Sequence, residues 1–488
     1  MGSILHSPLS FTVKRICIIG AGPTGLAAAK YLLAENTFGK IDIYEQQSEV
    51  GGVWHYTPPQ SEHVKVPQTK PETVPDQPIW PEAGGSVPIF SNPMYEVLNT
   101  NIPKDIMKFS DKEFEKESLL FPSRQDVQKY LLEYAEEVRH LVRFSTQIQG
   151  IEQESEGGRD RWRVRSTSLI TKEKREEIYD ALVIASGHYT VAFIPDTRNI
   201  EDFDKAHPST ISHAKTYRSS AAFRDKKVVV VGSGPSGLDI GTQISAVCRK
   251  PLLNSVRTPS SIQLGQSTKE EVPPIVEYLV ESRGVRFADG REEHDIDAIV
   301  YCTGYLYSYP FLNSINPPFV TDGGRSRGLY RQLFSIVHPT IVFTALSQRI
   351  IPFPLSEVQA VAMAKVWSNK LDLPPVKEQW DLERQQVEEL GDGKGFHLLP
   401  YPKDANYINS MYKWAGTAED GFRKQPKYWG KKECWIREKF GEMRKAFVDG
   451  GKKAKTMEEL GFRFEDDTGT AELREEDPKA RVNESSVR

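Results

Sequence analysis

No apolar run in this 488-residue chain approaches the roughly 18 residues that a bilayer-spanning helix needs, so an integral membrane segment is not expected. There is no excess of positive charge either: 63 Lys and Arg stand against 67 Asp and Glu, for a formal net charge of -4. Such a surface has no basic field for phosphate backbones, which argues against nucleic acid as a partner. Cysteine is scarce. Cys17, Cys248, Cys302 and Cys434 lie far apart, with no CxxC pair and no histidine at ligand spacing, which removes a redox disulfide and a zinc site and leaves the metal expectation at none. They are expected to be reduced packing residues, as in a cytoplasmic protein. The opening MGSILHSPLSFTVKR lacks the apolar core of a secretion signal, and its next apolar run, ICIIG, reads as a first core strand. Neither a Ser-His-Asp set nor paired carboxylates occur at informative spacing.

What is present is ordinary soluble composition, 38% hydrophobic, 27% charged and 10% aromatic, with length for roughly three domains. KRICIIG, GPTGLAAAKYLLAE and KIDIYE make a strand, helix and strand. Residues 57–92 are rich in breakers and read as a long surface excursion. FPSRQDVQKYLLEYAEEVRHLV turns into a helix with Val127, Tyr130, Leu131 and Tyr134 on its apolar face, and YDALVIASGHY is an apolar strand. KKVVVVGSGPSG opens a second such unit, which ends at DIDAIVYCTGY. The expected fold is α/β, with two Rossmann-like dinucleotide-binding domains, the second inserted in the first. The expected boundaries are 1–186 and 305–465 for the outer domain, 187–304 for the inserted one, and a polar, disordered tail over 466–488.

The two glycine turns carry the chemistry. In GAGPTG, Gly20 permits the tight turn, Gly22 lets the backbone approach a pyrophosphate, and Gly25 lets helix and strand pack closely, with the pyrophosphate at the helix N-terminus. Glu45 ends the second strand and suits ribose hydroxyls. GSGPSG repeats the spacing with Gly232, Gly234 and Gly237, and Ser233 and Ser236 lie within the turn. Glu45 stands 25 residues after Gly20, and 25 residues after Gly232 stands Arg257. A carboxylate repels a 2′-phosphate, whereas a guanidinium can grip one, so the first site is expected to take FAD or NAD and the second NADP. Two dinucleotides on one chain suggest hydride transfer between nicotinamide and flavin.

At this point the residues resemble those of the flavin-containing monooxygenases, from about Lys14 to about Arg444. GAGPTG is followed by GGVW, whose Gly52 and Trp54 the resemblance places over the flavin; FPSR, ending at Arg124, resembles the family's FPxR element. LNTNIP resembles a stretch whose asparagine, Asn101, lies beside the flavin ring, which makes Asn101 the catalytic candidate: an uncharged amide can donate without delivering a proton. ASGHY and CTGY resemble the crossing strands between the nucleotide domains. The identifying motif FxGxxxHxxxY departs: HPSTISHAKTY keeps His213 and Tyr217 but has His207 and Ser209 for Phe and Gly. Tyr217, where Baeyer-Villiger relatives carry tryptophan, tilts the reading towards heteroatom oxygenation. His213 is expected to link the domains and His188 to be a satisfied histidine. The helix carrying Glu357 and Gln359 either aims its N-terminus at the flavin, with Gln359 as a cofactor contact, or is a plain amphipathic helix.

The resemblance implies FAD and NADPH as cofactors, O2 and a small nucleophilic substrate (thiol, sulfide or amine) as partners, and oxygen transfer through a C4a-hydroperoxyflavin. It also implies a form without the membrane-tethering tail of some members; a homodimer is compatible with the sequence. The alternatives are an NADPH-dependent flavoprotein reductase or oxidase, Baeyer-Villiger oxygenation of a carbonyl, and a non-catalytic NADP sensor.

Overall fold

The runs RICII, KIDIY and ALVI are apolar at nearly every position, the pattern of strands covered on both faces. In the computed structural model, which describes residues 9–58, 63–81, 87–156, 159–258 and 268–466, they form the centre of a seven-stranded sheet. Its order is Leu329–Tyr330, Phe334–Ser335, Ile341–Phe343, Ala181–Ile184, Arg15–Ile19, Lys40–Tyr44, Val142–Arg143; the last five run parallel. A second sheet of five parallel strands has the order Lys269–Val272, Leu252–Ser255, Val228–Val231, Ala298–Tyr301, Ile211–His213. All five of its strands fall, in sequence, between Ile184 and Leu329. The fold is thus α/β with two Rossmann-like sheets. The outgoing and returning chains pair antiparallel, Val191–Ala192 against Tyr305–Leu306.

The helix Pro352–Trp367 is neither amphipathic nor aimed by its side chains at a cleft. Every residue from Phe353 to Trp367 is buried, as befits a helix packed on several sides. Burying one Leu, Val or Met side chain stabilises by roughly 1.5–3 kcal/mol, so Leu355, Val358, Val361 and Met363 make this helix a central pillar of the larger core. Its Glu357 accepts from the Ser110 amide at 3.0 Å, the Ser110 hydroxyl at 2.7 Å and the Tyr31 hydroxyl at 3.2 Å. Gln359 accepts from the Ala345 amide at 2.8 Å and donates to the Tyr407 hydroxyl at 2.9 Å. Both side chains are committed to the protein, and the cofactor contact expected of Gln359 gives way to a brace on Ala345, a left-handed residue with φ 50°.

The described residues of 57–92 are mostly exposed or half-buried, as a surface excursion should be, but the stretch is pinned at a few points. Thr57, Gln68 and Asn92 are buried, because their polar groups take up loop backbone that would otherwise go unpaired. Thr57 donates to the Phe90 carbonyl, and Arg218 donates to the Thr57 carbonyl. The Gln68 and Ile194 backbones pair, and Val64 joins the core of the inserted unit. The segment therefore straps the two units together. The tail expected over 466–488 lies, apart from Asp466, outside the described residues.

The departures in HPSTISHAKTY have local explanations. The His207 ring packs edge-on against Phe203 and hydrogen-bonds the Val280 carbonyl at 2.7 Å, keeping an aromatic contact where the family has Phe. Ser209, in place of glycine, sits at φ 67°, a region costly for a residue with a Cβ. Ser209→Gly should therefore raise unfolding stability by about 0.5–1 kcal/mol, read from the denaturant midpoint at unchanged slope. Glu357 yields a second expectation. Burial, the largest influence, pushes its carboxyl from the usual 4.5 up to about 7. The folded state then holds this proton longer than the unfolded one. The contribution to stability is full below pH 4.5 and is lost as pH rises towards 7. Glu357→Gln should flatten that fall in a pH series of unfolding curves.

Candidate functional site

Both glycine turns lie where a strand ends and a helix begins, at the carboxyl edge of their sheets. In the first, Gly20 has φ 106°, and a Cβ there would meet the Ala185 carbonyl oxygen at 2.5 Å. A Cβ on Gly25 would run into the carbonyl oxygen of Gly20, so the pair locks strand to helix. The second turn repeats this: Gly232 has φ 117° and a Cβ would reach the Cys302 carbonyl oxygen at 2.6 Å, while Gly237 backs onto Gly232. The helices that follow, Pro23–Ala34 and Pro235–Ser245, start at Gly22 and Gly234 with no side-chain cap. Their first-turn amides are therefore left for a ligand or water, the chemistry that a pyrophosphate satisfies. The two middle glycines play different parts. A Cβ on Gly22 would stand 3.5 Å from the Gly52 Cα, and one on Gly52 (φ 56°) 3.0 Å from the Gly22 Cα, so GGVW lies directly on the first turn. A Cβ on Gly234 would meet nothing within 4 Å beyond its own chain neighbours.

Three separated motifs meet beside the first turn. Ser123 caps the helix Arg124–Tyr134 in a reciprocal box with Asp126, which fixes its start, and Val127, Tyr130, Leu131 and Tyr134 are buried. Gln128 of that helix donates to the Val50 carbonyl at 2.8 Å, tying it to GGVW. The Arg124 amide donates to the Leu98 carbonyl and the Thr100 amide to the Pro122 carbonyl, tying it to LNTN. The Arg124 guanidinium lies over the Tyr56 ring, 3.9 Å from its centroid, and donates to the Glu96 carbonyl at 3.3 Å. Trp54 is half-buried against the core in the short helix Gly52–Trp54. Asn101 stands exposed at this junction, with its amide free of any hydrogen bond to a described residue.

Glu45 is buried. One carboxylate oxygen accepts from the Ala21 amide inside the turn at 2.7 Å and the other from the Gln47 amide at 2.8 Å. Burial raises its pKa. Its counterpart is not Arg257. The Gly20 amide donates to the Tyr44 carbonyl and the Gly232 amide to the Ser255 carbonyl, so Tyr44 matches Ser255 and Glu45 matches Val256. The Glu45 and Val256 amides confirm this register by each donating to the next strand along, at Arg143 and Val272. The span from glycine to strand end is one residue shorter in the second unit, so an equal count from the glycine overshoots. A buried valine without charge takes the acidic position, and exposed Arg257 follows it. Ser233 and Ser236 are exposed on the rim of this turn.

Between the edges runs the crossing. His213 is fully buried: its Nδ1 accepts from the Lys215 amide at 3.1 Å, which leaves Nε2–H to donate to the Gly304 carbonyl at 3.1 Å. Burial brings its pKa down to about 3, so it is neutral at physiological pH and serves as a clamp on the returning chain. The Tyr217 hydroxyl donates to Gln243 at 2.9 Å. His188 departs from the satisfied histidine expected. Both ring nitrogens are buried without a partner among the described residues, and burial lowers its pKa to about 4. It packs between Tyr189 and Tyr307, just past the end of Ala181–Ile184. An orphaned imidazole costs about 1–3 kcal/mol, and its place suits a polar group bound across that edge. Lys394, in a glycine-flanked loop that gave no periodic signal in the sequence, also stands at the crossing, its ammonium 2.8 Å from the centroid of the Phe193 ring. No cluster of metal-ligating side chains occurs among the described residues.

Two dinucleotide-binding edges joined by a crossing define a two-nucleotide α/β flavoprotein. The chain matches the flavin-binding monooxygenase-like family over residues 90–274 and 258–416, and an NAD(P)-binding Rossmann-like domain over residues 18–73. It is 31% identical over 413 residues to a thiol-specific monooxygenase of Saccharomyces cerevisiae, covering 82% of this chain and 84% of that one. It is also 31% identical over 417 residues to the flavin-containing monooxygenase FMO GS-OX-like 2 of Arabidopsis thaliana, with 82% and 84% covered. Among solved structures, S-allyl-L-cysteine S-oxygenase from Allium sativum superposes with a TM-score of 0.74 at 26% identity, covering 93% of this chain and 98% of that one. Tmm from Pelagibacter, at 21% identity, has a TM-score of 0.69 over 89% and 91%, and shows the shared fold. The chain belongs to the flavin-binding monooxygenase family. It is accordingly an oxidoreductase with FAD and NADPH as cofactors, and no described helix is long and apolar enough to cross a membrane.

The glycines of the second turn should separate on substitution. Gly237→Ala should lower stability by roughly 1–3 kcal/mol, because its methyl meets backbone that cannot yield. Gly234→Ala should change stability by less than about 0.5 kcal/mol yet raise the KM for NADPH about tenfold, since its methyl would occupy the approach of the pyrophosphate. Thermal unfolding beside steady-state kinetics reads both.

Proposed function

We propose that this monooxygenase transfers one oxygen atom of O2 to a soft nucleophile, a thiol, sulfide or amine, with sulfur preferred. Bound FAD, reduced by NADPH, supplies the oxygen chemistry. The chain's own residues bind the two dinucleotides, orient them and control protons. The observation that carries this reading is that, among the described residues, the histidines beside the two edges are disfavoured as acids, including His55, directly after GGVW, whose pKa burial lowers. His188 and His213 are both held neutral by burial, and the exposed side chain beside GGVW is the uncharged amide of Asn101. An amide can donate a hydrogen bond to an oxygen atom without releasing a proton to it, whereas an acid there would favour loss of hydrogen peroxide. The preference for sulfur is supported by the printed names of the thiol-specific monooxygenase and the S-oxygenase among the relatives. Tyr217, bonded to Gln243, stands where Baeyer-Villiger relatives carry tryptophan, and that difference in residue type supports heteroatom rather than carbonyl oxygenation.

The test is coupling. With FAD-loaded protein, each NADPH oxidised in the presence of an acceptable thiol or sulfide should yield close to one oxygenated product. Asn101→Ala should keep the KM for NADPH within about twofold while raising the hydrogen peroxide share severalfold. Unchanged coupling in the variant would remove Asn101 from the role, and peroxide as the main product of the parent protein with every nucleophile tried would identify an oxidase.

A further inference from the structure

Arg257 and Lys394 come from distant parts of the chain and meet at the carboxyl edge of the five-stranded sheet. Arg257 lies two residues past the end of Leu252–Ser255, beside the second glycine turn, with its side chain exposed and no hydrogen bond or ion pair to a described residue. Lys394 follows the helix Val376–Leu390 on the other unit and rests on Phe193, whose amide donates to the Gly304 carbonyl and whose carbonyl accepts from the Thr303 hydroxyl. Phe193 and the buried His213 share the Gly304 carbonyl, so the seat of Lys394 on Phe193 puts its ammonium over the same edge, where it interacts with the charge of Arg257. The carboxylate facing it, Asp322, makes no ion pair with it, and neighbouring Asp392 is taken up by Arg325 and Arg327. Two cations thus stand near each other with no carboxylate among the described residues bonded to either, an arrangement that costs free energy until an anion arrives.

We propose that Lys394, reaching across from the flavin unit, is a second anchor for the 2′-phosphate of NADPH alongside Arg257. This rests on the assignment of NADPH to the second turn. Val256, uncharged where Glu45 stands in the first unit, removes the repulsion that a 2′-phosphate would meet; Arg257 and Lys394 supply the attraction. Because the two cations belong to different units, a phosphate between them also holds the units in register, so that recognition of NADPH over NADH is coupled to placing the nicotinamide.

The pH dependence is distinctive. Burial, then the charge of Arg257, brings the Lys394 ammonium down to about 8, opposed by Asp322. His213, the remaining titratable group facing it, is neutral throughout the range concerned. Binding of a phosphate favours the protonated amine, so affinity should fall as pH rises through and beyond 8.

The experiment uses the full-length, FAD-loaded protein and titrates 2′,5′-ADP and 5′-AMP by calorimetry. The parent should bind 2′,5′-ADP the more tightly and lose part of that preference between pH 7 and pH 9.5. Lys394→Met should weaken 2′,5′-ADP about tenfold and leave 5′-AMP unchanged; Lys394→Arg should restore the affinity and abolish the pH dependence, since guanidinium does not titrate there. Thermal unfolding with FAD bound confirms that each variant is folded. Equal affinity of Lys394→Met and parent for 2′,5′-ADP overturns the proposal, as does an equal loss for 5′-AMP, which would move Lys394 to the 5′-phosphate. If Arg257→Ala abolishes the preference and Lys394→Met does not, only Lys394 is misassigned. If neither does, the assignment of NADPH to this edge fails with it.

Discussion

The crossing between the two sheets is the constraint on which the rest depends. A Rossmann sheet presents its ligand at the carboxyl ends of its strands, so an enzyme that passes a hydride between two dinucleotides must bring two such edges together. Here the chain leaves the larger sheet after Ile184, pairs Val191–Ala192 with the returning Tyr305–Leu306, and reaches the last strand of the smaller sheet at Ile211–His213. His213 fastens the returning chain at Gly304, and Gly304 in turn accepts the Phe193 amide on the outgoing one. One buried, neutral imidazole and a two-residue ribbon thus hold the relation between the edges. The strap through residues 57–92 acts in parallel, and its buried polar side chains explain why so breaker-rich a stretch is anchored.

The division of labour follows. Hydride transfer and oxygen activation belong to the cofactors, and the protein contributes shape, backbone amides and control of charge. Each glycine turn offers an uncapped helix start, and the residue after the second strand differs in charge between the units: Glu45 in one, Val256 and then Arg257 in the other. Buried charges elsewhere, such as Lys365 between Glu35 and Asp420, are paired and belong to the architecture.

Much of this was legible in the sequence because it is local. A glycine turn between an apolar strand and a helix is a short-range pattern, and both turns stand where that pattern puts them. The buried face of the helix Arg124–Tyr134 was equally readable from its 3.6-residue period. What escaped depends on contacts between distant segments. The match of Glu45 to Val256 rather than Arg257 rests on which carbonyl receives a glycine amide, and a fixed count cannot sense a unit one residue shorter. Gln359 looked like a cofactor contact until its partners, Ala345 and Tyr407, came into place. His188 looked satisfied because nothing in ASGHY reveals that both ring nitrogens lack a partner. Lys394 carried no signal at all: its meaning comes from Phe193 and Arg257, some two hundred and one hundred and forty positions away in the sequence numbering.

The most direct test of the account follows oxygen from the gas into the product. FAD-loaded protein is given NADPH, isotopically labelled dioxygen and a sulfide that supports turnover, and the sulfoxide is weighed by mass spectrometry beside the NADPH consumed. The account predicts one labelled oxygen atom on sulfur for each NADPH oxidised. Product oxygen carrying the isotope of the solvent water, or NADPH oxidation yielding labelled hydrogen peroxide alone, would contradict it.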